Sequence, residues 1–152
     1  MTAGPGRPKQ AHLRRAVSCA YYALFHLLIH DATEAMQIPG APDRRRWRRV
    51  LGRAFDHAVM AQAAAGVGSC MVKKIGPVPT PADLKTVCKA LVDLRSARHR
   101  ADYDMSELLS KQDAANYVDQ AKEAFEAWGR VGADPVAGLF LHLLHSYDSL
   151  KA

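Results

Sequence analysis

Cysteine is scarce in this chain, and the few that occur are not arranged for pairing. Cys19, Cys70 and Cys88 are the three cysteines among 152 residues, and none belongs to a CxxC or CxxH pair. An odd number of widely spaced thiols argues against a disulfide framework and against a zinc site built from cysteine pairs. The sequence therefore predicts reduced thiols in a cytoplasmic protein.

Long apolar runs are absent as well. The longest run near the N-terminus covers residues 21–29, is interrupted by His26, and ends at His30 and Asp31. A membrane-spanning helix needs about 20 apolar residues, and no small-residue cleavage site follows the run as it would in a signal peptide. We therefore expect neither a membrane segment nor a membrane partner.

Several well-defined enzyme motifs are missing too. The chain has no GxxxxGK[ST] loop, no GxSxG turn, no dinucleotide fingerprint and no HExxH zinc motif. Each absence argues against one class of enzyme. His26, His30 and Glu34, at i, i+4 and i+8, could place metal ligands on one helix face. No further ligand is indicated, so we expect no metal and no cofactor.

Positive charge, in contrast, is abundant and uneven. The formal net charge is +6, and residues 1–53 hold ten Lys or Arg against three acids, which gives this part +7. A one-sided basic excess favours an anionic partner, most often a nucleic acid. A solvated surface that keeps the protein soluble is the alternative.

Helical periodicity dominates the sequence, because apolar residues recur at spacings of three and four and no stretch alternates as a strand would. Breakers at residues 39–42 and 66–79 divide the pattern, and the second is expected to be a mobile loop. The predicted helices cover residues 10–37, 43–65, 81–103, 106–128 and 134–150, with Asp43, Thr80 and Ser106 or Ser110 as caps. The predicted fold class is all-α: an antiparallel up-and-down helical bundle of four to five helices. It forms one domain, residues 10–152, after a flexible tail, residues 1–9.

The same periodicity identifies side chains that should face the core. Expected buried positions of the second, third and fourth predicted helices include Trp47, Val50, Leu84, Val87, Leu91, Leu94, Phe125 and Trp128. Around Trp47, the basic run of residues 44–49 includes Arg44, Arg45 and Arg48. Such a run can hold a phosphate backbone, and a solvated helix start is the alternative.

The densest polar segment is Arg98-His99-Arg100-Ala101-Asp102-Tyr103-Asp104, at the end of the third predicted helix. Arg95, Arg98, His99 and Asp102 are spaced i, i+3, i+4 and i+7, which places them on one helix face. Arginine presents a planar fork of donors that suits phosphate, and histidine exchanges protons near neutral pH. This face is a candidate phosphate site. An exposed face held by an Arg98–Asp102 pair is the alternative.

A second polar stripe lies on the first predicted helix. Arg15, Tyr22 and His26, at i, i+7 and i+11, fall within about 20° of one line. A polar stripe on an otherwise apolar helix must meet water or a polar cluster. We expect Tyr22 and His26 to pack against the Arg98 region, either in a shared active site or in a structural hydrogen-bond network.

Two segments resemble the HEPN domain family. Residues 14–26, Arg-Arg-Ala-Val-Ser-Cys-Ala-Tyr-Tyr-Ala-Leu-Phe-His, are similar to the first-helix Arg-x-small-Tyr-Tyr-Ala-x-Phe-His pattern of that family. Residues 98–104 resemble the R-x-x-A-D-Y-D segment of its small stand-alone prokaryotic members. Together these segments place the resemblance over roughly residues 10–130.

The resemblance implies an antiparallel helical bundle that commonly forms a homodimer. Many members are metal-independent ribonucleases of toxin–antitoxin or defence systems, in which an Arg is followed four to six residues later by His. Arg98 matches that arginine, whereas Tyr103 and Asp104 stand where the histidine would be. The implied partners are RNA or a nucleotide, a second copy of the chain, and a nucleotidyltransferase or antitoxin.

These patterns and the resemblance together predict an RNA- or nucleotide-binding protein with two sets of candidate residues. The candidate catalytic residues are Arg98, Asp102, Tyr103, His26 and His99. The candidate nucleic-acid-binding residues are Arg15, Tyr22, Arg95, Arg44, Arg45 and Arg48. Cleavage would proceed by attack of a ribose 2′-hydroxyl, with Arg98 stabilising charge and His26 or His99 as base or acid. A non-catalytic helical scaffold or partner-binding module is the alternative.

Overall fold

The computed structural model describes residues 9–36 and 42–150, and most of this part of the chain is helical. The predicted tail, apart from Lys9, and residues 39–41 of the predicted breaker lie outside the described residues. The elements are α1 (Gln10–Ala35), α2 (Arg44–Gly52), α3 (His57–Gly68), β1 (Met71–Val72), β2 (Gly76–Pro77), α4 (Ala82–Tyr103), α5 (Lys111–Val131) and α6 (Pro135–Leu150). The all-α prediction is confirmed. The predicted number of four to five helices is wrong, because the described residues form six.

The additional helix arises from a break that the periodicity conceals. One helix was expected from residue 43 to residue 65, but α2 ends at Gly52 and α3 begins at His57. Asp56 causes the new start, because its side chain accepts hydrogen bonds from the backbone N–H groups of Ala58 at 2.8 Å and Val59 at 3.0 Å. An aspartate in this position satisfies helix donors that would otherwise lack partners. The expected cap, Asp43, makes no such side-chain bond.

The predicted mobile loop contains a small antiparallel hairpin. Met71 pairs with Pro77, and Val72 pairs with Gly76, whose φ of +91° suits a residue without a Cβ atom. Thr80 is buried and its hydroxyl donates to the carbonyl of Val67 at 2.8 Å. Thr80 therefore ties the hairpin to the end of α3, and Pro81 takes the capping position that was expected for Thr80.

The core is built around α1 and α4. Helix α4 packs against α1, α3 and α5, and α6 closes the core against α3. The side chains of α4 predicted to be buried are buried, namely Leu84, Val87, Leu91 and Leu94. The spacing of apolar residues at three and four along α4 thus predicted correctly which side of this helix faces the core. None of the helices in the described ranges is both long and apolar enough to cross a membrane.

Three predicted core positions are exposed. Trp47 and Val50 of α2 are 46% and 58% exposed, and Phe125 of α5 is 39% exposed. Helix α2 contributes no buried residue at all. The periodicity correctly identifies an apolar side of α2, but that side does not face the core.

The C-terminal end of α4 is held by the first helix. Arg14 donates to the carbonyl oxygens of Ala101 and Glu107, each at 2.6 Å, and to that of Asp104 at 3.2 Å. A helix end has carbonyl groups without partners inside the helix, and a cation near them is favourable. Arg14 thereby fixes the polar segment of residues 98–104 against α1, which brings the two predicted polar stripes together.

Candidate functional site

Arg98 lies near the end of α4 with its guanidinium turned toward α1. The guanidinium carbon is 5.3 Å from the ring centroid of Tyr22 and 5.6 Å from that of Tyr21. Its Nε donates to Oδ2 of Asp102 at 3.0 Å, and Oδ1 of Asp102 accepts from the Ser18 hydroxyl at 3.0 Å. The side chain of Arg98 is 15% exposed. A cation is thus held in place at the junction of α1 and α4, with part of its surface open.

His57 joins this cluster from the first turn of α3. Its Nδ1 lies 2.6 Å from the hydroxyl of Tyr21, and its ring is stacked on Phe25 with the ring centroids 4.1 Å apart. Tyr21 is fully buried, and burial raises the pKa of its phenol to about 12. The Tyr21 hydroxyl therefore remains protonated near neutral pH and can donate to Nδ1 of His57.

The surroundings of His57 favour its neutral form. Burial lowers the pKa of His57, and the positive charge of Arg98 lowers it further. Arg95 and His26 act in the same direction, while Asp56 opposes them. Nδ1 of the neutral imidazole is engaged with the Tyr21 hydroxyl, as acceptor or as donor according to the tautomer, and no hydrogen bond within residues 9–36 and 42–150 uses Nε2. Nε2 of His57 is therefore free to meet a ligand.

His26 lies beside Tyr22, the residue that follows Tyr21 on α1. The rings of Tyr22 and His26 are stacked with centroids 5.9 Å apart, and the ring of His57 lies 6.0 Å from Tyr22, edge to face. Tyr22 and His26 are both exposed. Two imidazoles and the Arg98 guanidinium thus surround one aromatic ring, and we call Tyr21, Tyr22, His26, His57 and Arg98 the Arg98 cluster.

A groove of about 570 Å³ leads to the cluster between α1, α2 and the start of α3. His26 and His57 line it together with Arg48, Arg49 and Arg53, which belong to α2 and the segment just after it. Arg48 is paired with Glu34, so Arg49 and Arg53 supply the positive potential that this concave surface concentrates. The groove therefore suits an anionic ligand that reaches the histidines.

The structure brings together some of the predicted site residues and separates others. Burial alone would lower the pKa of Arg98, yet hydrogen bonds to Asp102 and Tyr103 help to raise it, so Tyr103 lies at the edge of the cluster although it is 69% exposed. His99 is exposed and its ring centroid is 4.8 Å from that of Tyr103. No contact among the described residues joins His99 to the two other histidines of the cluster.

The predicted nucleic-acid-binding arginines also fall into two groups. Arg95 is half-buried and close enough to lower the pKa values of Tyr21 and His57. Arg15 is exposed, and the described part of the chain offers it no ion pair. Arg44 and Arg48 both pair with Glu34 of α1, Arg44 at 3.6 Å, while Arg45 is exposed on α2.

The metal alternative finds no support in the geometry. Within the described residues, no group of three or more His, Cys, Asp or Glu side chains could hold a metal ion. Glu34 is instead engaged by Arg44 and Arg48, and Nε2 of His30 lies 3.8 Å from Glu34. His26, His30 and Glu34 therefore do not form a ligand set.

His57 and Tyr21 are the two cluster residues that the sequence patterns missed. His57 was hidden inside a helix predicted to be continuous from residue 43 to residue 65. The sequence Asp56-His57 was the available signal, because an aspartate after an apolar position can start a helix. Tyr21 belongs to an apolar run and to the Tyr-Tyr pair of the resembling segment, and neither pattern assigns it a role in the site. The signal is that a buried tyrosine needs a partner for its hydroxyl.

Comparison of the chain with protein-family models, with curated proteins and with solved structures yields no match.

Proposed function

We propose that this protein binds RNA or a nucleotide, with one phosphate at the Arg98 cluster. The observation that supports the proposal is that Arg98, His26 and His57 all lie against Tyr22, and that the two histidines also line a groove with Arg48, Arg49 and Arg53. Guanidinium and imidazole groups are donors that recognise phosphate oxygens. The basic groove supplies long-range attraction to a polyanion, whereas the cluster supplies directed hydrogen bonds.

Metal-independent RNA cleavage is the reaction for which these residues are suited. The ribose 2′-oxygen would attack the adjacent phosphorus while neutral His57, in the tautomer whose Nδ1–H donates to the Tyr21 oxygen, accepts the 2′-hydroxyl proton at Nε2. His26 in its protonated form would give a proton to the leaving 5′-oxygen, and a 2′,3′-cyclic phosphate would result. Arg98 would stabilise the extra negative charge on the phosphorane. His57 takes the role of base in this scheme because its environment keeps it neutral.

Membership of a HEPN-like family of prokaryotic proteins remains part of the proposal, as does a role in a toxin–antitoxin or defence system. The supporting observation is that the two resembling segments meet in space. Arg14 of the first segment holds the carbonyl of Ala101 in the second, and Ser18 binds Asp102.

A homodimer is also proposed, and an apolar groove between α1 and α5 supports it. This groove of about 590 Å³ is lined by Ala16, Ala20, Ala23, Val118 and Ala121, beside the exposed Phe125. An exposed aromatic next to a groove of small side chains is self-complementary. Lys122 and Glu126 lie at its edge. In an antiparallel pair of α5 helices that cross at the level of Ala124, Lys122 of each copy would lie opposite Glu126 of the other.

A structural role for the Arg98 cluster is the second candidate. Arg98 is mostly covered, and the Ser18–Asp102 bond joins α1 to α4. If the cluster only connects helices, Arg98→Ala should lower the stability of the protein and leave its ligand affinity unchanged. Stability and binding must therefore be measured on the same variants.

RNA affinity of Arg98 variants tests the proposal. Fluorescence anisotropy with a labelled single-stranded RNA should show at least about tenfold weaker binding for Arg98→Ala. Arg98→Lys should recover part of the loss, because it restores charge without the planar fork. Cleavage should continue in EDTA and disappear in Arg98→Ala.

Arg130→Ala is the matched control. It removes an arginine whose ion pair with Asp83 measures 3.0 Å. Asp83 lies about 22 Å along α4 from Arg98. Arg130→Ala should leave RNA affinity unchanged. Equal affinities of Arg98→Ala, Arg130→Ala and the unmodified protein, with Arg98→Ala folded but less stable, would establish the structural role instead.

A further inference from the structure

Helix α2 is turned with its apolar side away from the protein. Trp47 and Val50 stand one turn apart and are 46% and 58% exposed. An amphipathic helix on a globular protein normally buries its apolar side. Because α2 contributes no buried residue, its apolar side is available to a partner.

The polar side of α2 is the one that contacts α1. Arg44, Arg48 and Gly52 are spaced i, i+4 and i+8, so they share one face. Arg44 and Arg48 pair with Glu34. A Cβ atom on Gly52 would lie 3.3 Å from Cγ2 of Ile29, so this glycine allows close approach. Two ion pairs and a close backbone contact therefore fix the inverted orientation of α2.

The exposed apolar side is surrounded by positive charge. Arg45, Arg46, Arg49 and Arg53 have no acidic side chain within 4 Å in the described ranges, unlike Arg44 and Arg48. The partner that complements this surface must carry negative charge and must also cover the indole of Trp47. Single-stranded nucleic acid meets both requirements, because its phosphates are anionic and its unpaired bases have faces that stack on aromatic rings.

The position of the surface distinguishes nucleic acid from a lipid membrane. Arg49 and Arg53 also line the groove that leads to His57 and the Arg98 cluster. A flexible strand can follow that concave path, whereas a membrane surface would stop at the convex side of α2. A duplex fits poorly, since its bases are already paired and stacked and cannot cover Trp47.

We infer that Trp47 is a base-stacking residue for single-stranded RNA, whose backbone passes Arg49 and Arg53 on its way to the Arg98 cluster. This inference rests on the proposed function and adds a preference for unpaired strands. Stacking is tolerant of sequence, because every base has a π face. The Trp47 surface therefore favours unpaired over paired RNA and does not distinguish one base from another.

Intrinsic fluorescence provides the test, because the chain has two tryptophans in different surroundings. Trp128 is half-buried and its Nε1 donates to Asp31 at 2.6 Å, while Trp47 is exposed. An eight-residue oligouridylate should quench the emission of the unmodified protein, and an RNA duplex of equal length should not. Trp47→Ala should abolish the quenching and weaken oligouridylate binding about tenfold.

Two further variants provide the controls. Val50→Ala removes the neighbouring exposed apolar side chain without removing a π face, so it should bind oligouridylate normally. Trp47→Phe should recover most of the affinity lost in Trp47→Ala. Circular dichroism should show unchanged helix content in all three variants, because α2 contributes no buried residue to the core.

Three results would overturn the inference, and they separate it from the proposed function. Normal oligouridylate binding by Trp47→Ala, with Arg98→Ala defective, would leave the proposed function intact and remove the stacking role. Absence of RNA binding by the unmodified protein would remove both. A membrane would be identified as the partner if phosphatidylserine vesicles shifted the Trp47 emission to the blue and oligouridylate did not quench it.

Discussion

The hydroxyl of Tyr21 and Nδ1 of His57 lie 2.6 Å apart, and this hydrogen bond joins the middle of α1 to the first turn of α3. It gives the buried phenol a partner and leaves Nε2 as the nitrogen of His57 that can meet a ligand. Asp56, one residue earlier, starts α3 and so places the imidazole beside Arg98. A helix cap thus determines where the second imidazole of the cluster lies.

Removal of His57 should reduce stability because it leaves the Tyr21 hydroxyl without a partner. His57→Ala is expected to lower the free energy of unfolding by about 1–3 kcal/mol. Tyr21→Phe should cost about 1 kcal/mol, and the double variant should cost less than the sum. Urea unfolding measures all three, and strictly additive losses would show that the hydrogen bond contributes nothing.

Stability should depend on pH through His57. Its pKa lies below the ordinary value of 6.5 because of burial and then the charge of Arg98, so the unfolded chain binds a proton more readily than the folded one. The contribution of neutral His57 to the free energy of unfolding is complete above about pH 6.5 and declines as the pH falls toward the lower pKa of the folded state.

The urea midpoints at about pH 7.5 and about pH 5.5 test this dependence. His57→Gln should lose less stability across this interval than the unmodified protein. His145, whose pKa is also lowered by burial, is present in both proteins and cancels in the comparison. An equal loss in both proteins would show that His57 is not the group that titrates.

Asp102 should matter for binding through the orientation of Arg98. Asp102→Ala removes the acceptor at 3.0 Å from Nε of Arg98, which frees the guanidinium to change rotamer. We expect several-fold weaker RNA binding, with Asp102→Asn intermediate because its amide oxygen can still accept. Anisotropy measures the effect. Tighter binding by Asp102→Ala would mean that Asp102 only repels phosphate.

The proposed homodimer can be tested through Phe125 and Cys19. Sedimentation equilibrium should give about twice the chain mass of 16.7 kDa, and Phe125→Glu should give the single-chain mass. Cys19 lines the α1–α5 groove, so dimerisation should protect it from a thiol reagent. In Phe125→Glu, Cys19 should react faster while the rate for Cys70 stays unchanged. A dimer that persists in Phe125→Glu would place the interface elsewhere.

Sequence periodicity predicted the all-α class and the inner face of α4, because apolar spacing reports directly on burial within a long helix. Periodicity did not predict the helix boundary that a capping side chain sets. Residues 43–65 keep helical spacing across the break, and only the hydrogen bonds of Asp56 reveal a new helix. Spacing along one helix also carries no information on which neighbour it meets, which explains the wrong expectation for Trp47.

The candidate site was predicted in part. Arg98, Asp102, Tyr22 and His26 meet as the two polar stripes suggested, since both stripes belong to long helices whose faces can be calculated. His57 comes from a third helix, and tertiary packing alone brings it to the cluster. His99 follows Arg98 directly in sequence, yet a step of about 100° along a helix turns it away from Arg98.

The most direct test of the phosphate site is an NMR titration with short single-stranded RNA. With 15N-labelled arginine and histidine, the Arg98 Nε–H and the His57 ring nitrogens should shift together and saturate at one RNA per chain. The Arg130 Nε–H should not move. Shifts confined to the arginines of α2, with Arg98 and His57 unchanged at saturation, would contradict the account.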